Sequence, residues 1–247
     1  MPFLKRLTLD WQKADEINNA AQRHYPFDIP ALQRMEQLDF ESNVTFFIGE
    51  NGSGKSTLLE SIAYSCGFNT VGGKNSILSK ETDDLSLSSI LRLSWLPKVT
   101  NGFFFRAETF NAFADYIDEL AKESSAAYMS YGGMSLNEQS HGQAFLSLFM
   151  NRFGGRGIYL LDEPESALSP QNQLAFMRTI WDLERDSKAQ FIIATHSPIL
   201  LAYPGAQILS FDESPIAPVE YEQTDHYLLT RDFLNNRERY FRTLFED

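Results

Sequence analysis

Residues 44–57 read VTFFIGENGSGKST, an apolar run, then three glycines within six positions, then Lys-Ser-Thr. Few folds accept this. A short buried strand that ends in a glycine-rich turn and opens a helix lets successive backbone N–H groups converge on one anion. Gly49, Gly52 and Gly54 permit the inward turn that a Cβ would obstruct. The helix predicted over 55–64 adds the partial positive charge of its N-terminus. The pattern G-x-x-x-x-G-K-[ST] is complete here. Glu50, Asn51, Gly52, Ser53, Gly54, Lys55, Ser56 and Thr57 are therefore expected to cradle the phosphates of a nucleoside triphosphate. Lys55 would bridge the terminal phosphates, and the Ser56 hydroxyl would ligate Mg²⁺.

The rest of the chain alternates in the same way. Strands are predicted over 3–9, 85–93, 103–106, 158–161 and 191–195, and helices over 111–122, 143–152 and 170–185. Residues 67–84 and 124–139 read as loops, and the last 35 residues add a strand and a closing helix. That helix is expected to pack back on the core, with docking of a partner as the alternative that periodicity does not separate. Strand–helix alternation argues an α/β fold with a mainly parallel sheet.

Two further strands end on polar groups. In IYLLDEP (158–164) four apolar residues lead to Asp162 and Glu163. Ligands of open parallel sheets bind at the strands' C-terminal edge, which puts both acids beside the phosphate loop. Asp162 would hold Mg²⁺, and Glu163 would orient or deprotonate an attacking water. Acids at that place also suit the approach to a helix. FIIATHSP (191–198) repeats the design, and His196 at its end could bring an imidazole N–H to the γ-phosphate. A lone histidine of this kind is otherwise structural.

Composition narrows the classes. The 247 residues are 43% hydrophobic and 22% charged with twenty Phe, which suits a packed globular core. The net charge of −12 opposes general nucleic-acid binding. RDFLNNRERYFR (231–242) is the one cationic cluster, so direct nucleic-acid binding stays open. No apolar run is long enough to span a bilayer, and no secretory leader is evident. The single Cys66 suits a reducing cytosol, so a cytoplasmic location is expected, with Cys66 an inert packed thiol.

The order of motifs, GENGSGKST, SHGQ (140–143), IYLLDEP, SALS (166–169) and THSP, resembles the ABC-type ATPase superfamily over roughly residues 44–210. The stretches GFFFRAETFN, NEQSHGQAFLSLFMNRF and LDEPESALSPQNQLAF are similar to small stand-alone bacterial ATPases of that class, in the style of RecF and SMC-type enzymes without a coiled coil. The resemblance implies a P-loop fold with a mainly parallel sheet flanked by helices, an antiparallel β subdomain and a short helical lobe. It implies one domain over 1–247, the lobe near 109–142 and a C-terminal extension over 213–247. SHGQ resembles the signature loop, with His141 replacing the first glycine. Ser140 and Gly142 would then reach the γ-phosphate held by a partner subunit. The same serine also reads as a plain helix N-cap. Ser169 stands where the family carries Asp.

Glu108 is the candidate for the position that helps hold Mg²⁺. Arg106 and Glu108 read equally as a local ion pair. Tyr25, in HYPFDIPAL, lies where many family members place an aromatic under adenine, and reads equally as a core or surface tyrosine. The implied chemistry is ATP hydrolysis with ATP and Mg²⁺, in an ATP-dependent homodimer with an unidentified effector. The resemblance does not supply the biological setting, for which nucleic-acid maintenance or defence is one expectation. The alternatives are the energy subunit of a membrane transporter and a binding module in which ATP is a structural switch. Only about thirty residues separate Glu108 from Ser140, too few for a coiled-coil arm.

Overall fold

The run that carries the phosphate loop becomes the middle of a sheet, because every residue of it is buried on both faces. The computed structural model describes residues 1–17, 24–68, 87–123, 128–129, 132–139, 141–152, 156–185 and 189–245. Along the first half run β1 (Leu4–Leu9), α1 (Trp11–Ile17), α2 (Pro30–Gln33), β2 (Gln37–Asp39), β3 (Val44–Ile48) and α3 (Lys55–Ser65). They are followed by β4 (Leu91–Trp95), β5 (Gly102–Arg106), α4 (Phe110–Glu123), α5 (His141–Arg152) and β6 (Gly157–Asp162). The chain closes with α6 (Pro170–Arg185), β7 (Ala189–Ala194), α7 (Pro198–Leu201), β8 (Gln207–Ser210), β9 (Ala217–Pro218) and α8 (Asp225–Phe245).

Six strands form the main sheet in the order β5-β6-β7-β3-β8-β9. The first five pair in parallel and β9 closes the edge antiparallel. The strands β3, β6 and β7 are buried throughout, as parallel strands covered on both faces must be. A smaller antiparallel sheet has the order β2-β1-β4. Gln190 of β7 joins the two: its Oε1 accepts the N–H groups of Phe3 and Leu4, each at 2.8 Å, and its Nε2 donates to Leu4 O at 3.0 Å. Leu4 and Leu7 share a core with Phe47, Phe104 and Leu160. The other face packs an aromatic layer, in which the Phe145 and Phe149 rings stack at 4.2 Å.

The α/β architecture, its parallel sheet and its antiparallel companion agree with expectation, and two local readings change. The strand expected over 85–93 begins only at Leu91, and residues 85–86 lie outside the described residues. Leu87–Ser89 form a 3-10 turn instead. Leu87, Ile90 and Leu91 are the buried set, a spacing of three and four that suits a turn rather than a strand. Of the expected loops, 69–84 and parts of 124–139 lie outside the described residues, and residues 132–139 form turns and bends that pack on the fold. Ser135 Oγ and Asn137 Nδ2 both donate to Asp118 Oδ2 at 2.9 Å, and Leu136 is buried.

The closing helix α8 is the second case, because only its start docks. Tyr221 Oη donates to Pro198 O at 3.0 Å, and Thr224 Oγ1 accepts the Tyr227 N–H at 3.2 Å. No residue of α8 is buried, Asn236 breaks its helical backbone, and Leu229, Leu234, Leu244 and Phe245 are exposed. Packing of the whole helix on the core is therefore corrected. Cys66 ends α3 and is packed as expected, its thiol pushed up to about 12 by burial.

Candidate functional site

Three parallel strands deliver the site to one edge. β3 ends in the phosphate loop, β6 in Asp162 and Glu163, and β7 in Thr195 and His196. In the loop Gly49, Gly52 and Gly54 have φ of +143°, +83° and +104°. Gly54 is irreplaceable on space as well, since a Cβ there would stand 2.7 Å from Ile29 Cγ2. The loop is held from β8's side: Asp212 Oδ1 accepts the Glu50 N–H at 2.7 Å. Glu50, Asn51 and Gly52 are exposed, while Ser53 Oγ is buried without a hydrogen-bond partner.

Lys55 begins α3 and is buried. Its ammonium donates to Gly49 O at 2.6 Å and Glu50 O at 2.9 Å. Burial lowers its pKa, against the opposing pull of Asp212, Glu163, Asp162 and Glu50. A desolvated cation under a glycine turn, an orphaned hydroxyl at Ser53 and a helix N-terminus together fit a polyphosphate.

Beside it, Ser56 Oγ donates to Asp162 Oδ1 at 2.9 Å. Sheet register sets Arg106 of β5 against Asp162. The Arg106 guanidinium donates to Asp162 Oδ2 at 3.0 Å and to Glu60 Oε2 at 3.1 Å. Burial works against its charge, but Glu60 and Asp162 outweigh it and its pKa is raised. A local Arg106–Glu108 ion pair is thus not formed. Glu108 instead lines one cavity with Tyr25, Ser56, Thr57, Asp162 and Glu163. Among the described residues no three His, Cys, Asp or Glu side chains form a metal cluster by themselves. That suits Mg²⁺, which takes one or two carboxylates plus substrate phosphates rather than an all-protein cage. The hard oxygens of Ser56 and Asp162, with Glu108 lining the same cavity, fit that ion.

Glu163 is the only described non-glycine residue at positive φ, with φ +50° and ψ +52°. Such a backbone is costly and persists where neighbours hold it. Its N–H donates to Ala194 O at 2.9 Å, and its carbonyl accepts the Ser166 hydroxyl at 2.8 Å. The strained turn brings Glu163 Oε1 to 3.9 Å from His196 Nε2. That Nε2 is buried without a hydrogen-bond partner, while Nδ1 lies 3.1 Å from His226 Nε2. The His196 backbone N–H donates to Glu165 Oε1 at 2.6 Å.

Tyr25 stands on the rim, 70% exposed, with its hydroxyl 2.9 Å from Thr57 Oγ1. Gly142 is not among the residues lining the cavity. It lies where a Cβ would meet Asn172 Nδ2 at 2.5 Å and Ala167 O at 3.5 Å, packing the start of α5 on the SALS turn. Ser140 lies outside the described residues. Ser169 Oγ accepts the Asn172 N–H at 3.3 Å, an ordinary helix cap. The expected residues Lys55, Ser56, Asp162, Glu163, His196, Tyr25 and Glu108 converge, and Gly142 does not.

Sequence reasoning missed Asp212, Glu60, Glu165 and His226. Asp212 follows ILSF, a run apolar but for Ser210 and so close to the end-of-strand pattern that marked Asp162. The other three act through helix or turn geometry and leave no pattern of that kind.

A model described as "AAA domain" matches residues 28–128. A second, described as "AAA domain, putative AbiEii toxin, Type IV TA system", matches residues 134–202. The tungstate uptake system ATP-binding protein TupC of Campylobacter jejuni is 27% identical over 87% of this chain and 66% of its own. The energy-coupling factor transporter ATP-binding protein EcfA2 of Spiroplasma kunkelii is 21% identical over 70% of this chain and 62% of its own. The chain spans less than two thirds of the length of the curated relatives it matches, from 9% to 66%. Among solved structures, an ATP-binding cassette of an ABC transporter in its ADP conformation covers both chains fully, with TM-score 0.51 and 17% identity. Clostridium perfringens cbiO1, part of the ABC transporter complex cbiONQ, covers 97% of this chain and 98% of its own, with TM-score 0.51 and 16% identity. These likenesses show the fold.

Proposed function

We propose that this chain, an ATPase of the AAA/ABC type, binds and hydrolyses Mg·ATP in a site completed by a second copy of itself. The observation that carries this is the convergence of Lys55, Ser56, Asp162, Glu163 and His196 at one sheet edge, with Ser56 Oγ 2.9 Å from Asp162 and His196 Nε2 3.9 Å from Glu163.

The residues divide the work. Backbone N–H groups of the 49–57 loop and the Lys55 ammonium hold the β- and γ-phosphates, and Tyr25 offers its ring to the base. Ser56, Asp162 and Glu108 would hold Mg²⁺, which when bound supplies charge neutralisation on the phosphate oxygens. The Glu163 carboxylate takes a proton from water as the water oxygen attacks the γ-phosphorus and the bond to the β-phosphate oxygen breaks. An N–H at His196 Nε2 donates to a γ-phosphate oxygen as charge develops there.

One chain supplies only part of this cradle, since Gly142 lies against α6 and the SALS turn rather than the cavity. The N-terminus of α5, with Ser140 and Gly142, would approach the γ-phosphate from a partner copy. ATP then binds the closed dimer better than the open one, and hydrolysis removes the bridge. The two sheets' shared core supports reading 1–247 as one domain with a lobe near 109–142 and an extension over 213–247. The setting we favour is an ATP switch for a protein effector, in nucleic-acid maintenance or defence, in the cytoplasm. A second reading, the energy subunit of a membrane transporter, is favoured by the transporter ATP-binding proteins among its relatives. Among the described residues no helix is long and apolar enough to cross a membrane.

The test is turnover per chain as protein concentration rises at saturating Mg·ATP. A composite site gives specific activity that climbs toward a plateau. Constant specific activity down to the lowest dilution that still shows turnover contradicts it.

A further inference from the structure

The C-terminal helix reaches into the site through one side chain. His226, in the first turn of α8, sets its Nε2 3.1 Å from His196 Nδ1, with the ring centroids 5.3 Å apart. That turn is tied to the segment after β7 by one hydrogen bond and capped within itself by another. Tyr221 Oη donates to Pro198 O at 3.0 Å, and Thr224, itself buried, caps the turn by accepting the Tyr227 N–H.

We propose that His226 is a positioning residue for the hydrolytic site, fixing His196 in the tautomer that carries its proton on Nε2. The proposal rests on the reading of His196 as a γ-phosphate donor. The pair can share one proton in two ways. If His196 Nδ1–H donated to His226, the bare Nε2 lone pair of His196 would face the Glu163 carboxylate, 3.9 Å away, and the phosphate beyond. If His226 Nε2–H donates to His196 Nδ1, the N–H of His196 Nε2 faces those anions. The charge of the site selects the second arrangement. Both outer nitrogens, His196 Nε2 and His226 Nδ1, are buried without a hydrogen-bond partner. On His196 that leaves the donor aimed at the reacting group, and on His226 an uncharged lone pair.

Burial, reinforced by His196 and Lys55, lowers the pKa of His226, which favours the neutral ring that such a relay needs. Asp212 and Asp225 pull the other way. The device resembles the carboxylate behind a catalytic histidine, with a neutral imidazole as the orienter. It also gives α8 a handle on hydrolysis, because moving the helix withdraws the donor.

The experiment compares His226→Leu, His226→Gln and His196→Ala with the wild type. Steady-state kinetics, ATP affinity, thermal melting and ¹⁵N NMR of the imidazoles are read in each. With only four histidines in the chain, the His196 resonances are assignable by difference. In the wild type His196 carries its proton on Nε2. In His226→Leu we expect mixed tautomers and kcat lower by roughly tenfold, with ATP affinity within about twofold. His226→Gln keeps an N–H near the same place and restores kcat to within about threefold of wild type. A folded His226→Leu protein with unchanged tautomer and kcat overturns the proposal. So does a His226→Gln protein as impaired as the leucine variant. If His196→Ala itself keeps full turnover, the γ-phosphate reading of His196 fails first. If His196→Ala is inactive while His226→Leu is normal, only the role of His226 fails.

Discussion

Glu165 Oε1 accepts the backbone N–H of His196 at 2.6 Å, tying the turn after β6 to the turn after β7. The two catalytic candidates, Glu163 and His196, sit on those two turns, so one carboxylate sets their spacing. Glu165→Ala should lower kcat by about tenfold, the scale of one charge-assisted hydrogen bond, and leave ATP affinity nearly unchanged. Paired kinetic and binding titrations check this.

The same carboxyl has a pH consequence. Burial raises the Glu165 pKa, with hydrogen bonds from the His196 and Glu165 backbones and from Thr195 opposing it. An acid with a raised folded-state pKa contributes stability below its ordinary value near 4.5, and loses it as pH rises through the folded value. Ionised Glu165 therefore weakens the fold at neutral pH. Glu165→Gln should equal or exceed the wild-type melting temperature at pH 7–8 and lose that advantage near pH 4. Melting curves across that range decide it.

Ser56 links the phosphate loop to Asp162 at 2.9 Å. Ser56→Ala removes one oxygen donor for Mg²⁺ and unpins the other. The Mg²⁺ concentration for half-maximal turnover should rise by roughly tenfold, as when a ligand or its support is lost. Chelation of Mg²⁺ should abolish turnover in both proteins. An unchanged Mg²⁺ dependence in the variant removes Ser56 from the metal site.

Gln190 makes three buried hydrogen bonds across the two sheets. Gln190→Leu strands two N–H groups and one carbonyl, at about 3 kcal/mol in total once partial relaxation is allowed. Chemical denaturation should show that loss with the denaturant slope unchanged. A loss below about 1 kcal/mol would mean that the antiparallel sheet holds its place by apolar packing alone.

Residues that announce themselves by strand position were legible in the chain. Asp162 and Glu163 close an apolar run, His196 follows one after Thr195, and Lys55 and Ser56 follow another through the glycine loop, so all five belong to one sheet edge. Arg106 and Glu108 were visible as polar residues after β5, but their partners were not. Only the parallel register sets Arg106 beside Asp162 rather than beside Glu108. His226 was invisible for a different reason. Its contact spans thirty residues and depends on where the first turn of α8 docks. The amphipathic pattern of α8 could not reveal that the apolar face stays largely exposed, because a periodic stripe reads the same whether or not something covers it.

The central claim is that ATP closes two copies around a shared site, and Glu163→Gln tests it most directly. This variant keeps the shape of the side chain and removes the base, so bound ATP is not consumed. Its molecular mass in solution is measured by light scattering with and without Mg·ATP. The account predicts a monomer that doubles in mass with Mg·ATP, with hydrolysis abolished, and a doubling that is lost when Gly142→Trp blocks the start of α5. A Glu163→Gln protein that binds ATP tightly and stays monomeric at high concentration would contradict it.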